Sequence, residues 1–165
     1  MKIVKQKVNS AFVSHETKII AEISAGYVFY LGVSETDSEE CTSWAIQTIA
    51  DCLLCHSNFA ENQKKMLCSE ESLSDHKLSC TGKTNDALIL SQFTLLADFK
   101  EQKPSFHRAA ANGIAFDYFQ SVCSQLKQVF PDNVKNGVFG KNLEIFLDID
   151  NSCMPELVEN VKCSQ

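Results

Sequence analysis

Proline and glycine are scarce in this sequence, with 3 prolines and 6 glycines among 165 residues. Low-complexity linkers and collagen-like segments are rich in both, so neither is expected here. Long apolar runs are also missing, since the longest unbroken one, residues 27–31, is far shorter than the roughly 20 residues that a membrane span needs. Apolar residues make up 44% and charged residues 22%, as in a typical globular protein. We therefore predict a single domain over residues 1–165 with no membrane span.

Basic residues are outnumbered, with 15 Lys and Arg against 21 Asp and Glu, which gives a net charge of -6. Binding nucleic acid without sequence preference requires a dense basic face, so the composition excludes that class of protein. Two local basic clusters are still candidate contacts for RNA: Lys2, Lys5 and Lys7, and then Lys100, Lys103, His107 and Arg108. The simpler interpretation of each cluster is a solvated surface without a ligand.

Cysteine is abundant, with 8 residues. No apolar segment of a secretory signal follows Met1, so we expect a cytoplasmic protein with reduced thiols. The run Cys52-Leu53-Leu54-Cys55-His56 matches the c-type haem attachment pattern, and zinc is a second alternative with ligands from Cys52, Cys55, His56, Cys68, His76 and Cys80. Because Cys52 falls on the apolar stripe of a predicted helix and a second Cys-x-x-Cys pair is missing, we predict no metal and no cofactor.

Hydrophobic periodicity predicts strands, a helix, a strand, a helix and a strand, in that order. Residues 2–33 contain short β-branched and aromatic runs, with turns expected at Asn9-Ser10, His15-Glu16 and Ala25-Gly26. A first helix is expected to begin near Thr36 with a capping box to Glu39, and a second to span about 112–130. Residues 56–85 are mainly polar and predict a long surface excursion. The fold class is therefore α/β, a single compact domain with mixed sheet and two main helices.

A buried strand, Ala87-Leu88-Ile89-Leu90, continues directly into Ser91-Gln92-Phe93-Thr94-Leu95. Polar groups at the end of a buried strand are costly unless they are partnered. The pattern fits either a functional site at a strand terminus or a strand end with a satisfied amide, and the residues alone leave both open. The final strand, 143–149, alternates, which predicts one face toward the core, formed by Leu143, Ile145, Leu147 and Ile149.

The run Ser91-Gln92-Phe93-Thr94-Leu95 resembles the Ser-Gln-x-x-Leu signature of the D-aminoacyl-tRNA deacylases. Other segments resemble that family in order and spacing. They are Val4-Lys5-Gln6-Lys7-Val8, Leu31-Gly32-Val33 followed by Thr36-Asp37-Ser38-Glu39-Glu40, Lys103-Pro104-Ser105-Phe106, and Gly137-Val138-Phe139-Gly140. The resemblance covers nearly the whole chain apart from 56–85.

The resemblance implies a compact, barrel-like α/β fold that works as a homodimer without a metal or an organic cofactor. It implies hydrolysis of the ester that joins a D-amino acid, or glycine, to the terminal adenosine of tRNA. The implied catalytic residues are Ser91, Gln92, Phe93 and Thr94, which act through the backbone and with the ribose hydroxyl of the tRNA. The implied substrate-binding residues are Lys103, Pro104, Phe106, Phe139, Gly140, Asn151, Met154 and Pro155.

The chain departs from the family after the last of these segments. There the family carries Asn-x-Gly-Pro-x-Thr, with a cis Gly-Pro bond that reaches into the partner subunit's site and excludes L-amino acids. This chain reads Asp150-Asn151-Ser152-Cys153-Met154-Pro155-Glu156 instead. We therefore expect either weaker rejection of L-aminoacyl-tRNA or no hydrolysis. The alternative function is a non-catalytic homologue that dimerises and binds tRNA or another partner.

Overall fold

The computed structural model describes residues 1–54, 85–100, 103–149 and 153–160. Its elements are β1 (Lys2–His15), β2 (Lys18–Ile23), β3 (Gly26–Gly32), α1 (Glu39–Leu54), β4 (Asp86–Ser91), a 3₁₀ turn (Phe93–Leu96), β5 (Asp98–Lys100), β6 (Lys103–Ser105), α2 (Asn112–Val129), β7 (Val134–Asn136), β8 (Glu144–Ile149) and β9 (Glu156–Glu159). This order confirms the α/β class with two main helices. Except for Asn85, the predicted excursion at 56–85 lies outside the described residues.

The main sheet has the strand order β2-β1-β3-β4-β7, and β8 and β9 also pair with β1. The pairs β3–β4 and β4–β7 are parallel, whereas the strands that pair with β1 are antiparallel to it. Strands β5 and β6 form a separate antiparallel pair. The predicted mixed, barrel-like sheet is confirmed as a nearly closed barrel.

The long strand β1 is what allows the sheet to curve back on itself. Its first half pairs with β3 and β9, and its second half pairs with β2 and β8. The turn predicted at Asn9-Ser10 is wrong, because β1 continues through it with a register shift against β8 between Val8 and Ser10. Such irregularities bend a strand and increase its twist, so a single strand can change partners along its length.

Two hydrophobic cores lie on opposite sides of the sheet. One packs the sheet against α1 and α2, and the other fills the barrel with residues such as Val8, Val28 and Leu88. Strand β3 contributes to both, since Val28 faces the barrel while Phe29 faces the helices. This confirms that residues 27–31 form a central strand that is buried on both faces.

Helix α1 begins at Glu39, three residues after the predicted start at Thr36. The reason is that Asp37 is held in the preceding turn, where its carboxylate accepts the Ser34 N–H at 2.7 Å and pairs with the Met1 ammonium group. The predicted apolar stripe of α1 is confirmed, and α2 lies where the second helix was predicted. In the described ranges, neither helix is long and apolar enough to cross a membrane.

Strand β8 is more exposed than its alternating sequence predicts. Leu143 and Leu147 pack against the barrel core, but Ile145 and Ile149 are 37% and 41% exposed. On the opposite face, Phe146 is 50% exposed and stacks on Phe12 with 4.5 Å between ring centroids. The prediction that this strand faces the core is therefore right for only part of its length.

Candidate functional site

A cleft of about 520 Å³ lies at the C-terminal end of β4. It is bounded by the end of β3, the residues that follow β4, the start of α2 and the segment between β7 and β8. Its lining includes Ser91, Gln92, Phe93, Phe139 and Gly140, so the structure brings together residues that the family resemblance implied. The other lining residues are Tyr30, Leu31, Val33, Leu90, Ala110, Asn112, Ala115, Val138, Lys141, Asn142, Leu143 and Ile145.

One side of the cleft is formed by the first three residues of the site turn, which we define as residues 91–96. The Gln92 N–H donates to the Leu31 carbonyl at 2.9 Å, which ties the turn to the end of β3. A Cβ atom on Gly32 would lie 3.1 Å from the Gln92 carbonyl oxygen and 3.1 Å from Leu95 Cβ. Glycine at position 32 therefore allows the site turn to approach β3 closely.

The site turn presents backbone donors at the edge of the cleft. Gln92 caps the 3₁₀ turn, and its Oε1 accepts the Thr94 N–H at a long 3.4 Å. Within the described residues, the Phe93 N–H has no protein acceptor, because the first N–H groups of a helical turn have no partner inside it. The Phe93 amide can therefore donate to a ligand, and the Thr94 amide can do so by giving up its long bond to Gln92.

The segment between β7 and β8 forms another wall of the cleft, which we call the aromatic wall because it carries Phe139. The Phe139 ring contacts Phe116 and Phe119 at centroid distances of 5.5 and 5.6 Å. The wall is held close to β4, since a Cβ on Gly137 would lie 2.7 Å from side-chain atoms of both Leu90 and Leu143. Gly140 adopts a φ of +71°, a conformation that other residues rarely take.

The cleft is poor in groups that could exchange protons near neutral pH. Of its described lining residues, only Tyr30 and Lys141 carry a titratable side chain, and none is Asp, Glu, His or Cys. Burial raises the pKa of Tyr30 above its usual value of 10.0, so its hydroxyl stays protonated at neutral pH. Chemistry in this cleft would therefore rest on backbone donors and on the substrate's own groups.

The segment that begins at Lys103 lies beside the cleft rather than in its lining. The Phe106 ring meets Phe93 edge to face, with 5.0 Å between centroids. Lys103 and Pro104 are exposed on β6. Phe106 is therefore joined to the site through Phe93. Lys103 and Pro104 lie outside the lining, and their role in binding stays a prediction.

Acidic partners offset several members of the two basic clusters. Lys2 and Lys5 pair with Glu159 and Glu156 of β9 at 2.8 and 2.9 Å. In the second cluster, Arg108 and His107 both approach Asp98, at 3.3 and 3.6 Å. These pairs reduce the positive potential that either cluster offers to a phosphate backbone.

The C-terminal segment lies outside the cleft of its own chain. Met154 is 87% exposed, and Pro155 is exposed beside it. The buried Gln6 side chain donates from Nε2 to the Cys153 carbonyl at 3.2 Å, which anchors the chain just before β9. Asn151 lies outside the described residues, and no peptide bond within them is cis.

Most of the proposed zinc ligands lie outside the described residues, which contain no group of three or more Cys, His, Asp or Glu able to hold a metal ion. Cys52, Cys123 and Cys153 are not disulfide-bonded. Cys41 is disulfide-bonded, so the expectation of reduced thiols is wrong for this residue.

Comparison with known sequences identifies the family. The sequence profile described as D-Tyr-tRNA(Tyr) deacylase matches residues 4–151. The chain belongs to this family. Proteins named D-aminoacyl-tRNA deacylase from Flavobacterium psychrophilum and Yarrowia lipolytica are 29% and 30% identical over 148 and 150 residues. These alignments cover 89% of this chain, and 89% and 90% of the two relatives.

Two solved structures share the fold of this deacylase-family chain. The c-Myc DNA Unwinding Element Binding Protein superposes with a TM-score of 0.73 at 24% identity, over 97% of this chain and 99% of its own. A probable eukaryotic D-amino acid tRNA deacylase superposes with a TM-score of 0.61 at 14% identity, over 95% and 96%. At these identities the superpositions establish the fold alone.

The lining residues that sequence reasoning missed come from four separate parts of the chain. Tyr30, Asn112 and Ile145 carry no motif and fit ordinary strand or helix positions, and Ala110 lies in the loop before α2. Asn112 is the first residue of α2, which a boundary prediction near 112 places but does not connect to the site. Only the tertiary structure, which brings α2 and β8 to the cleft at the end of β4, shows that these residues line it.

Proposed function

We propose that this protein hydrolyses the ester bond of D-aminoacyl-tRNA, and of glycine mischarged on tRNA, and releases the free amino acid and tRNA. The observation that carries this proposal is the cleft, which offers the Phe93 N–H as a donor, while no described lining residue is Asp, Glu, His or Cys. Family membership and the names of the relatives support the same activity. The substrate implies the cytoplasm, where charged tRNA is used in translation.

The proposed chemistry is attack of water on the ester carbonyl. Negative charge then develops on the carbonyl oxygen, and the Phe93 N–H can stabilise it, together with the Thr94 N–H once that amide exchanges its long bond to Gln92. Preorganised donors of this kind lower the barrier without an activated side chain. The ester breaks at the ribose 3′-oxygen, and the neighbouring 2′-hydroxyl relays the proton: it gives its own proton to the 3′-oxygen and takes one from the attacking water.

The terminal adenosine is proposed to bind between the site turn and the aromatic wall. The apolar lining side chains Val138, Phe139 and Ile145 suit a planar base, and Lys141 suits a nearby phosphate. Gln92 has no pKa useful for acid–base catalysis, so its proposed role is to hold the Thr94 amide in place.

A homodimer is proposed through the exposed apolar surface of β8 and β9. Ile149 and Leu157 are 41% and 55% exposed on neighbouring parts of the sheet. In such a dimer, Met154 and Pro155 would be placed to approach the partner's cleft. We expect Ile149→Asp to give a monomer by sedimentation, while Ile19→Asp, a matched change at an exposed residue of β2, leaves the mass unchanged. A wild-type protein that sediments as a monomer at micromolar concentration would contradict the dimer.

The activity test is deacylation of one tRNA charged in parallel with a D- and an L-amino acid. We expect release of the D-amino acid, with a D/L ratio of kcat/KM below about 10³, near 4 kcal/mol. We expect a low ratio because the sequence lacks the Gly-Pro segment that excludes L-amino acids in the family, and attractive contacts alone discriminate weakly between D- and L-amino acids. No release above the uncatalysed rate would favour the non-catalytic homologue instead. A D/L ratio above that limit would show that another element excludes L-amino acids.

A further inference from the structure

An exposed aromatic surface lies beside the cleft on the paired strands β5 and β6. Phe99 is 74% exposed and lies opposite Pro104 in the strand register, so the two side chains share one face. Two residues after Pro104, Phe106 meets Phe93 edge to face, and the two residues are 37% and 57% exposed. Clustered exposed aromatic residues of this kind mark a binding surface more often than scattered ones.

The other face of the same strand pair is polar and internally bonded. Asp98 approaches Arg108 at 3.3 Å and His107 at 3.6 Å. The Ser105 hydroxyl and His107 Nδ1 lie 2.9 Å apart and complete the network. These contacts hold the strand pair in place, so the face that carries Phe99 is presented away from the network.

Basic side chains lie near this surface but on the polar face of the strand pair. Lys103 shares that face with Ser105 by alternation, and Arg108, which pairs with Asp98 there, remains 49% exposed. The site is also continuous with the cleft, because Phe93 lines the cleft and contacts Phe106 on its outer side. A chain that leaves the cleft past Phe93 therefore meets aromatic rings first, and the basic side chains lie on the other face of the strand pair.

We propose that Phe99 and Pro104, together with the edge of the Phe93–Phe106 pair, form a stacking platform for the unpaired nucleotides that precede the terminal adenosine of tRNA. The proposal rests on the proposed function, since the terminal adenosine occupies the cleft. Single-stranded nucleic acid is commonly held by aromatic rings because every base has a π-face, and basic side chains follow its backbone. The platform binds these nucleotides by stacking and does not take part in the hydrolysis.

The test measures binding without requiring catalysis. Fluorescence anisotropy of a labelled CCA trinucleotide, and of uncharged tRNA, is recorded with wild type, Phe99→Ala and Phe99→Trp. We expect Phe99→Ala to raise Kd by about fivefold to 150-fold, as expected for loss of one base–aromatic stack, while Phe99→Trp binds as wild type does. The control is Ile19→Ala, which removes another exposed apolar side chain on β2 and should leave Kd unchanged.

Two further measurements separate this proposal from its alternatives. With tRNA that lacks its unpaired 3′ nucleotides, wild type and Phe99→Ala should bind equally, and unequal binding overturns the proposal. Sedimentation of Phe99→Ala should match wild type, because a change in mass would assign this surface to contact between copies of the chain. Unchanged Kd in Phe99→Ala for the trinucleotide and intact tRNA also overturns it.

Failure of the proposed hydrolysis is distinguishable from failure of the platform. If wild type binds the trinucleotide through Phe99 but releases no amino acid, the platform stands and the catalytic proposal fails. If wild type hydrolyses aminoacyl-tRNA and Phe99→Ala does so with the same kcat/KM, the catalytic proposal stands and the platform fails. With aminoacyl-adenosine, which lacks the preceding nucleotides, both proteins should react at equal rates, and a slower Phe99→Ala would place Phe99 in the cleft instead.

Discussion

Removal of the Phe93 N–H is the sharpest test of catalysis by backbone donors. Phe93→Pro removes this donor, since proline has no backbone N–H. The site turn tolerates proline at this position, because Phe93 begins the 3₁₀ turn and Gln92 before it is extended, with φ -148° and ψ 94°. No protein hydrogen bond of the described residues is lost, because the Phe93 N–H has no acceptor among them.

The matched control is Phe93→Ala, which removes the same aromatic ring but keeps the N–H. Any loss that the two variants share reports on the ring, and the ratio between them reports on the donor. Removing one donor to a developing oxyanion lowers kcat by about 10²–10³. We therefore expect kcat of Phe93→Pro to be about 10²–10³ below that of Phe93→Ala, with similar melting temperatures.

The assay is release of D-amino acid from charged tRNA under single-turnover conditions, which isolates the chemical step from product release. Circular dichroism melting of both variants establishes that the fold is retained. Equal rate constants for Phe93→Pro and Phe93→Ala would refute catalysis by this amide. If Phe93→Pro melts far below Phe93→Ala, the comparison is made instead between Thr94→Pro and Thr94→Ala, which tests the second donor.

Three other expectations follow from the same geometry. Gly32→Ala should lower the free energy of unfolding by about 1–3 kcal/mol and raise the activation free energy for kcat/KM by a similar amount, because the new Cβ would lie 3.1 Å from the site turn. Gly113→Ala, where a Cβ would meet nothing within 4 Å, should change neither stability nor kcat/KM. Gln92→Ala should slow turnover without moving the pH–rate profile, since the amide only positions Thr94, and a displaced profile would contradict that role. Burial raises the pKa of Cys123 to about 12. This thiol should therefore resist labelling at pH 8 until the protein unfolds, and the free energy of unfolding should fall as pH rises from about 9 toward 12. Rapid labelling of Cys123 in the native protein would disprove its burial.

Local sequence patterns determined much of the fold. The doubly apolar run at residues 27–31 predicted a central strand, and Val28 and Phe29 indeed enter the two cores from opposite faces. The spacing of apolar residues likewise predicted both helices, because burial of one helix face is encoded by every third or fourth residue. The polar end of β4 marked the site turn, and the motif around it led to the family.

The tertiary structure alone decided which of these elements meet. The cleft joins Tyr30, Asn112 and Ile145 to the site turn, and nothing in their own segments predicts that meeting, because periodicity encodes which face is buried but not its partner. The same reason explains β1, where Asn9-Ser10 has the composition of a turn but forms a bend between two sets of partner strands. It also explains the basic clusters, since a lysine or arginine is a candidate RNA contact in the sequence until folding places a carboxylate such as Glu156 or Asp98 beside it.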